Sequence, residues 1–389
     1  MLHETVPITN RFADGSEVWS AAGGGPGRQG LWDGRVLIES TPVWCLAVKG
    51  AVQASVVFDA AGRSLVADMA GWVHAFSVEG RLLWGRQIEG AVSATPAVDT
   101  TRDRVFAGTH LGWVYAMRAS DGAVLWRQRL PTRSDARIGS DLLLTPGAAE
   151  VVSSSWGGRF CALDAGTGQT RRTWDAGLSP QAGASADRRG NLYSMRAVRG
   201  EGVVCVRLDR DGRETVLCRQ PEGKRGASRM VVAAAPVVDE DRGVVFFCVN
   251  GDRETTLHAW SLRDERVLWT RQMPRFTVAT PALRPDGAVV VAGMDGAVRA
   301  FAVGGAPLFS YATGADYLLA GPVCDAAGTA FVGDPLGRLH AVDQNGAGRA
   351  VFEAPRSIQA RPAFDWNGHL HVACTDRTVR VFRNRLVRV

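Results

Sequence analysis

The chain has 389 residues, of which 46% are hydrophobic and 22% are charged, and its formal net charge is +6. This is the composition of an ordinary folded protein, which excludes extensive disorder and collagen-like structure. No run of about 18 apolar residues occurs, so we expect no membrane span.

The first residues resemble the outer strand of a repeat. Residues 13–19 (ADGSEVW) match residues 120–126 (SDGAVLW) and residues 78–84 (VEGRLLW), although no repeat precedes them. The last repeat lacks such a segment. We therefore expect residues 13–20 to pair with the strand around Thr378–Phe382 and to close a ring, with Trp19 as the displaced aromatic residue of the repeat.

The next segment, residues 21–52, lacks the repeat pattern and is longer than any other connector. Long connectors in compact folds tend to be functional or to carry structure of their own. We interpret this one as a loop and a short hairpin across one rim of the ring. Trp32 and Trp44 are candidates for the wall of a ligand pocket, and the alternative is that they cap the exposed edge of the first blade.

Residues 53–389 carry the repeat itself. A turn followed by Gly-x-Val/Leu-x-Ala, exact or degenerate, begins at residues 71, 112, 158, 202, 255, 296, 337 and 377. Apolar and polar residues alternate within each unit, which indicates strands, and Asp-Gly and Gly-Gly steps supply hairpin turns. Four short strands per unit predict an all-β fold: an eight-bladed β-propeller of four-stranded antiparallel blades, closed by an N-terminal strand. We expect one domain over residues 1–389 and a monomer.

The recurring glycine, acidic-x-Gly and apolar-Trp segments are similar to the repeat of the PQQ-like (pyrroloquinoline-quinone-type) propellers. Residues 19–30 (WSAAGGGPGRQG) also resemble the opening that such proteins carry before their first blade. The group includes quinoprotein alcohol dehydrogenases and the propeller lipoprotein of the outer-membrane β-barrel assembly machine. The resemblance covers nearly the whole chain and implies the same eight-bladed fold.

The resemblance does not extend to the quinone chemistry. Quinone enzymes of this group carry an adjacent Cys-Cys pair and acidic calcium ligands. This chain has seven cysteines, none of them adjacent, and it has no CxxCH motif for haem. The histidine pair His369 and His371 lacks a third ligand. We therefore expect no cofactor and no metal, and we interpret most cysteines as small buried residues of a reducing compartment.

Charge is concentrated in the connectors between blades. They carry 13 basic and 6 acidic residues, so they hold the entire positive excess of the chain. Arginine favours bidentate recognition of carboxylate or phosphate. The sequence predicts a basic face around the funnel that binds an anionic ligand, formed by Arg129, Arg133, Arg137, Arg229, Arg275, Arg356 and Arg361. The alternative is that these arginines are spread over solvated loops.

Acid–base candidates also come from connectors and turns, because binding residues tend to lie on loops held by a rigid scaffold. His110 lies in a turn on the predicted ligand side and titrates near neutral pH. Asp141 and Asp316 precede first strands, and Tyr317 can donate to a developing oxyanion. The alternative for the two aspartates is that they cap turns or pair with neighbouring arginines.

Two main functional hypotheses follow, and a PQQ-dependent dehydrogenase is a further alternative. The first is a non-catalytic binding or scaffold propeller that holds a small anionic molecule or an acidic protein surface. The second is a propeller enzyme of specialised metabolism, such as a cyclase, lyase or isomerase, with its active site in the funnel. Nucleic acid is a poor fit, because no basic run with interleaved aromatic residues occurs. Residues 1–7 show neither a basic start nor an apolar core for a signal peptide, so we expect a cytoplasmic protein.

Overall fold

The computed structural model describes residues 19–132, 134–177, 182–220, 234–251 and 255–386. These residues form eight four-stranded antiparallel sheets, and the predicted all-β, eight-bladed propeller is confirmed. The described ranges contain no helix, and therefore no helix that could cross a membrane.

Strands are numbered in chain order, and β1 (Trp44–Ala47) precedes the first complete blade. Blade 1 contains β2 (Val57–Phe58), β3 (Ser64–Ala67), β4 (Trp72–Phe76) and β5 (Leu82–Gln87). Blade 2 contains β6 (Ala97–Asp99), β7 (Arg104–Gly108), β8 (Trp113–Arg118) and β9 (Val124–Arg129). Blade 3 contains β10 (Leu143–Leu144), β11 (Glu150–Ser155), β12 (Arg159–Asp164) and β13 (Thr170–Asp175). Blade 4 contains β14 (Ser185–Ala186), β15 (Leu192–Val198), β16 (Gly202–Leu208) and β17 (Glu214–Gln220).

The second half of the ring repeats this plan. Blade 5 contains β18 (Val237–Asp239), β19 (Val244–Asn250), β20 (Thr255–Ser261) and β21 (Arg266–Met273). Blade 6 contains β22 (Ala282–Leu283), β23 (Val289–Ala292), β24 (Ala297–Phe301) and β25 (Pro307–Ala312). Blade 7 contains β26 (Val323–Cys324), β27 (Ala330–Gly333), β28 (Arg338–Val342) and β29 (Gly348–Glu353). Blade 8 contains β30 (Ala363–Phe364), β31 (Leu370–Cys374) and β32 (Thr378–Phe382).

The connectors between blades and the turns between second and third strands lie on one face of the ring, because successive strands alternate in direction. We call it the connector face, and we call the opposite one the turn face. Contacts across blades agree with this placement. The N–H of His110, in a blade 2 turn, donates to the carbonyl of Ala91 in the preceding connector at 2.8 Å.

The hydrophobic core is divided into clusters that lie between neighbouring blades. One cluster joins Val57 and Leu65 of blade 1 to Val105 and Tyr115 of blade 2. The outermost strands are largely exposed, as in β5. Each blade therefore buries its faces against its neighbours, as expected for a repeat ring.

Aromatic residues of the fourth strands pack on the next blade at several places in the ring. The ring of Trp84 lies against Gly122, where an added Cβ atom would be 2.6 Å from that ring. Gly122 has a φ of +71°, which favours glycine in the turn. The same packing recurs between Trp126 and Gly168, Trp269 and Gly305, and Phe309 and Gly346.

Ring closure differs from the predicted arrangement. An N-terminal strand does complete blade 8, but it is β1 and not residues 13–20, because Trp44 pairs with Val381 and Ala47 with Thr378. Residues 13–18 lie outside the described residues. Trp44 packs on Gly80 of blade 1, so this residue, and not Trp19, is the displaced aromatic residue of the repeat. The predicted hairpin in residues 21–52 is also wrong, because β1 pairs across the chain with β32.

Residues 19–32, which we call the channel segment, run along the inner edges of the first strands. Carbonyl groups of the segment accept hydrogen bonds of 2.7–3.0 Å from inner-strand N–H groups of six blades. The acceptor and donor pairs are Trp19 and Phe58, Ser20 and Val98, Pro26 and Ala186, Gly27 and Val238, Gln29 and Leu283, and Gly30 and Cys324. The segment thus satisfies strand edges that would otherwise be unpaired, near the turn-face end of the central channel.

Candidate functional site

A cavity of about 180 Å³ lies in the central channel, on the connector-face side of the channel segment. Arg28 and Ala22 of the segment contribute to its lining, and the remaining lining residues come from the entrances to first strands. They are Gln53, Ser55, Ser93, Thr95, Gly139, Asp141, Gly183, Val278, Ala279, Thr280, Leu319, Gly321, Gln359 and Arg361. The lining is mostly polar and combines two arginines with one aspartate.

Arg28 is fully buried and ties the channel segment to blades 3 and 4. Its Nε donates to the carbonyl of Ala184 at 2.8 Å, and its Nη2 donates to the carbonyl of Asp141 at 3.0 Å. Its Nη1 lies 3.5 Å from Oδ2 of Asp141. Burial lowers the pKa of Arg28 below its usual value, and the negative charge of Asp141 opposes that shift.

Arg361 enters the cavity from blade 8. Its Nε donates to the carbonyl of Pro322 at 2.9 Å and its Nη2 to the carbonyl of Pro281 at 2.9 Å. Within the described parts of the chain, no carboxylate lies in ion-pair contact with this guanidinium. Burial lowers the pKa of Arg361 to about 10, and the nearby charge of Arg28 adds to the effect.

Two positions of the channel segment, Gly23 and Gly30, lie so close to the guanidinium of Arg361 that a larger residue would clash with it. An added Cβ at Gly23 would lie 2.3 Å from Nη1 of Arg361, and one at Gly30 would lie 1.9 Å from Nη2. Both glycines also have positive φ angles, +76° and +63°. Two separate requirements, on backbone conformation and on space, therefore select glycine at these positions.

Asp141 faces the cavity, in agreement with its predicted place at a first-strand entrance. Its Oδ1 accepts a hydrogen bond from the N–H of Thr95 at 2.8 Å, while Oδ2 is turned toward Arg28. The side chain is about one third exposed. This arrangement matches the capping and pairing alternative for Asp141.

His110 stands behind the cavity wall. Its Nε2 lies 2.7 Å from the hydroxyl of Ser93, and Ser93 lines the cavity. Burial lowers the pKa of His110, and the positive charge of Arg137 contributes, which favours the neutral ring. The hydrogen bond between Ser93 and His110 thus joins the cavity wall to a turn of the connector face.

The structure does not bring the other predicted residues to this cavity. Asp316 and Tyr317 are exposed on the connector before blade 7. Trp32 is buried at a ring distance of 6.2 Å from Phe364, and Trp44 packs on blade 1 from the outer strand of blade 8. Neither tryptophan lines the cavity, and Trp44 covers the exposed edge of the first blade, as the alternative interpretation had it.

Of the seven predicted arginines, Arg361 alone among those described lines the cavity. Arg129, Arg137, Arg275 and Arg356 are exposed at or near connectors, while Arg133 and Arg229 lie outside the described residues. Arg137 forms an ion pair with Asp135 and stacks on Trp156 at 4.1 Å. These four exposed arginines do not line the cavity.

Sequence analysis missed Arg28, Ser93 and Thr95. A signal for one group of cavity residues was present in the repeat, because the middle residue of four of the five Ala-x-Pro motifs lines the cavity. These middle residues include Thr95, Thr280, Gly321 and Arg361, all of which line the cavity. Arg28 had no such signal, since its position depends on the path of the channel segment.

The residues at the cavity do not fit the quinone cofactor and calcium that the resemblance implies. Its one carboxylate, Asp141, already accepts from Thr95 and faces Arg28. Across the described ranges, no group of three or more metal-ligating side chains is assembled. A cavity of about 180 Å³ is also smaller than the roughly 300 Å³ at which small-molecule pockets begin.

Comparison with known proteins identifies the family. The model of the family described as outer membrane protein assembly factor BamB matches residues 4–235 and 210–357. This chain belongs to that family. A search of curated proteins found no match.

Solved structures of the same fold include a member of the family and an enzyme. BamB from Moraxella catarrhalis is similar with a TM-score of 0.70 and 18% identity, over 90% of this chain and 99% of that chain. A quinohemoprotein alcohol dehydrogenase from Comamonas testosteroni is similar with a TM-score of 0.70 and 14% identity, over 94% of this chain and 80% of that chain. At these identities the likeness concerns the fold, because function resides in sites placed on folds.

Proposed function

We propose that this protein is a non-catalytic binding propeller that holds an anionic ligand or an acidic protein partner on its connector face. One observation carries the proposal: the buried guanidinium of Arg361 has no carboxylate in ion-pair contact within the described residues. A buried cation is costly unless a partner compensates its charge. An anion that enters from the connector face supplies that partner.

The surroundings of the cavity support binding of a partner. Arg275 and Arg356 are exposed on two connectors of this face. An excess of basic residues, such as the connectors carry in the sequence, attracts and orients an acidic partner. The description of the family as an assembly factor also suits a scaffold that brings proteins together.

Charge reversal on the connector face tests the proposal. In the full chain, the double variant Arg275→Glu and Arg356→Glu should weaken the binding of a polyglutamate peptide by about tenfold, because two exposed attractions become repulsions. Titration of the peptide over a range of salt concentrations measures the affinity and its ionic-strength dependence.

A matched variant controls for net charge. Arg189→Glu with Arg263→Glu changes the total charge equally, and both residues are exposed in turns of the turn face. This control should retain most of the affinity. An equal loss in both double variants would show non-specific attraction to a positively charged protein and would contradict the proposal.

A further inference from the structure

We infer that the cavity between Arg28 and Arg361 is a specific site for one small oxyanion, a carboxylate or phosphate-type group, to which the channel segment contributes one of the two cations. The inference rests on the proposed function and names the chemistry of the bound group. It concerns the channel cavity, whereas the exposed arginines of the proposed function lie outside it.

The charge balance of the cavity favours an anion. Two guanidinium groups face one carboxylate, and that carboxylate is one third exposed while Arg28 is fully buried and Arg361 nearly so. The local sum is therefore one uncompensated positive charge. Coulomb attraction at such a partly desolvated site is several times stronger than in bulk water.

Backbone N–H groups provide further donors. In three blades, the backbone N–H of the residue at the entrance to the first strand donates a hydrogen bond to a side chain of the next blade. Thr95 Oγ1 accepts from Ser55 at 3.1 Å, Asp141 Oδ1 from Thr95 at 2.8 Å, and Thr280 Oγ1 from Ala235 at 3.1 Å. At this position of the repeat, these three N–H groups are therefore directed toward the next blade.

In the other five blades, this N–H has no acceptor among the residues that the structure describes. In four of these five blades, the next blade offers no side-chain acceptor, because its residue at the same repeat position is Gly183, Ala235, Gly321 or Arg361. The five unaccepted N–H groups belong to Asp141, Gly183, Thr280, Gly321 and Arg361, all of which line the cavity. Backbone N–H groups without an acceptor, lying beside arginines, can donate hydrogen bonds to an oxyanion.

The dimensions and walls restrict what can enter. A volume of about 180 Å³ admits a small acid or the end of an acidic side chain. On one side, Gln53 Nε2 donates to Gln359 Oε1 at 3.1 Å, so two amides line the cavity. Val278 and Leu319 add an apolar part to the lining. The occupant is therefore an oxyanion on a short, partly apolar body.

Binding of an anion also links two parts of the chain. Arg28 belongs to the channel segment, and Arg361 belongs to blade 8; Nη1 of Arg361 lies 3.4 Å from the carbonyl oxygen of Arg28. An oxyanion between the two guanidinium groups compensates the positive charge that Asp141 leaves unbalanced. Occupancy should therefore raise the stability of the folded ring, since a ligand that binds only the native state stabilises it.

Thermal unfolding of the full chain tests the inference. Inorganic phosphate and malonate, each compared with sodium chloride at equal ionic strength, should raise Tm by about 2 °C at tenfold excess over Kd, and the rise should follow the logarithm of the concentration. The isosteric variant Gln359→Glu places a carboxylate at the cavity beside Arg361 and should abolish this rise. Gln344→Glu, an exposed position of the turn face, should leave the rise unchanged.

The possible results distinguish a free small acid from an acidic side chain of a partner. They also distinguish failure of this inference from failure of the proposed function. If a hexaglutamate peptide raises the Tm of the wild type but not that of Gln359→Glu, an acidic side chain of a partner is the occupant. If the peptide gives no such rise, the occupant is a free small acid. Absence of any rise beyond sodium chloride, or an undiminished rise in Gln359→Glu, would overturn the inference. Polyglutamate binding that depends on Arg275 and Arg356 would then still support the proposed function.

Discussion

His258 is a buried histidine in blade 5, and its environment favours the neutral ring. It stacks on Phe247 at a ring distance of 5.0 Å, and its Nδ1 lies 3.8 Å from the sulfur of Cys218. Its Nε2 is buried without a hydrogen-bond partner in the described structure. Burial lowers the pKa of His258 to about 4, whereas an unfolded chain has a histidine pKa of about 6.5.

This difference predicts a loss of stability in acid. Between pH 6.5 and 4 the unfolded state binds a proton at His258 that the folded state does not, so stability falls as the pH decreases through this window. Between pH 7 and pH 5 the wild type should lose about 2 kcal/mol more than His258→Gln, which cannot titrate there. Urea denaturation of both proteins at the two pH values measures the difference. Equal losses would contradict the shifted pKa.

Reactivity of the cysteines also depends on individual environments. Burial raises the pKa of the Cys161, Cys248 and Cys324 thiols to about 12. Such thiols are poor nucleophiles at neutral pH. Cys45 is exposed on β1. The prediction from sequence that most cysteines are small buried residues agrees with these surroundings.

The channel segment is the element on which the candidate site depends, and Gly30 is its closest contact with Arg361. Gly30→Ala should destabilise the fold in two ways, because φ is +63° and because the new Cβ would lie 1.9 Å from Nη2 of Arg361. Gly243→Ala is the matched control, since φ is +65° and no atom lies within 4 Å of the new Cβ.

The two variants separate backbone strain from close packing. A left-handed conformation costs an alanine roughly 1–2 kcal/mol, and this cost should appear in both proteins. Overpacking should add about 1–3 kcal/mol in Gly30→Ala only. Urea unfolding gives both free energies. Equal destabilisation would mean that the segment does not hold Arg361 at this distance.

The blades could be predicted from the sequence, whereas the elements between residues 19 and 47 could not. Blades repeat a local pattern, and each strand pairs with its neighbour in sequence, so period and turn residues are sufficient. The channel segment forms no strand, and its hydrogen bonds join residues far apart in the chain. Arg361 was predicted as one of the basic residues of the connectors. Arg28 was not, because its role depends on contacts with blades 3 and 4.

The prediction of the closing strand failed for a related reason. Residues 13–19 match the local pattern of an outer strand better than residues 43–48 do, yet β1 occupies the position. Register explains the choice: Trp44 faces Val381 as Trp84 faces Ala75, and each packs on a turn glycine of the next blade. Tertiary packing thus overrides local similarity at this one strand.

At the scale of the whole molecule, the pairing of β1 with β32 completes the fourth strand of blade 8. A ring closed in this way leaves no sheet edge between the last blade and the first. Cys45 faces Arg380 across this pair, and both are near enough for their charges to interact. Directly opposed residues of antiparallel strands have Cα atoms about 4.5–5.5 Å apart, which is within the range of disulfides.

Arg380→Cys should therefore form a disulfide with Cys45 that spans nearly the whole ring. Cross-linking so long a loop should stabilise the oxidised protein by about 2–5 kcal/mol relative to the same protein under reducing conditions. Loss of the Arg380 ion pair with Asp376 affects both conditions equally, and Arg380→Ser serves as the control without a new thiol. Thermal unfolding with and without reductant, together with thiol counting, measures the effect. Failure of Arg380→Cys to form the bond under oxidising conditions would show that β1 does not close the ring, because only this register brings the two positions into contact.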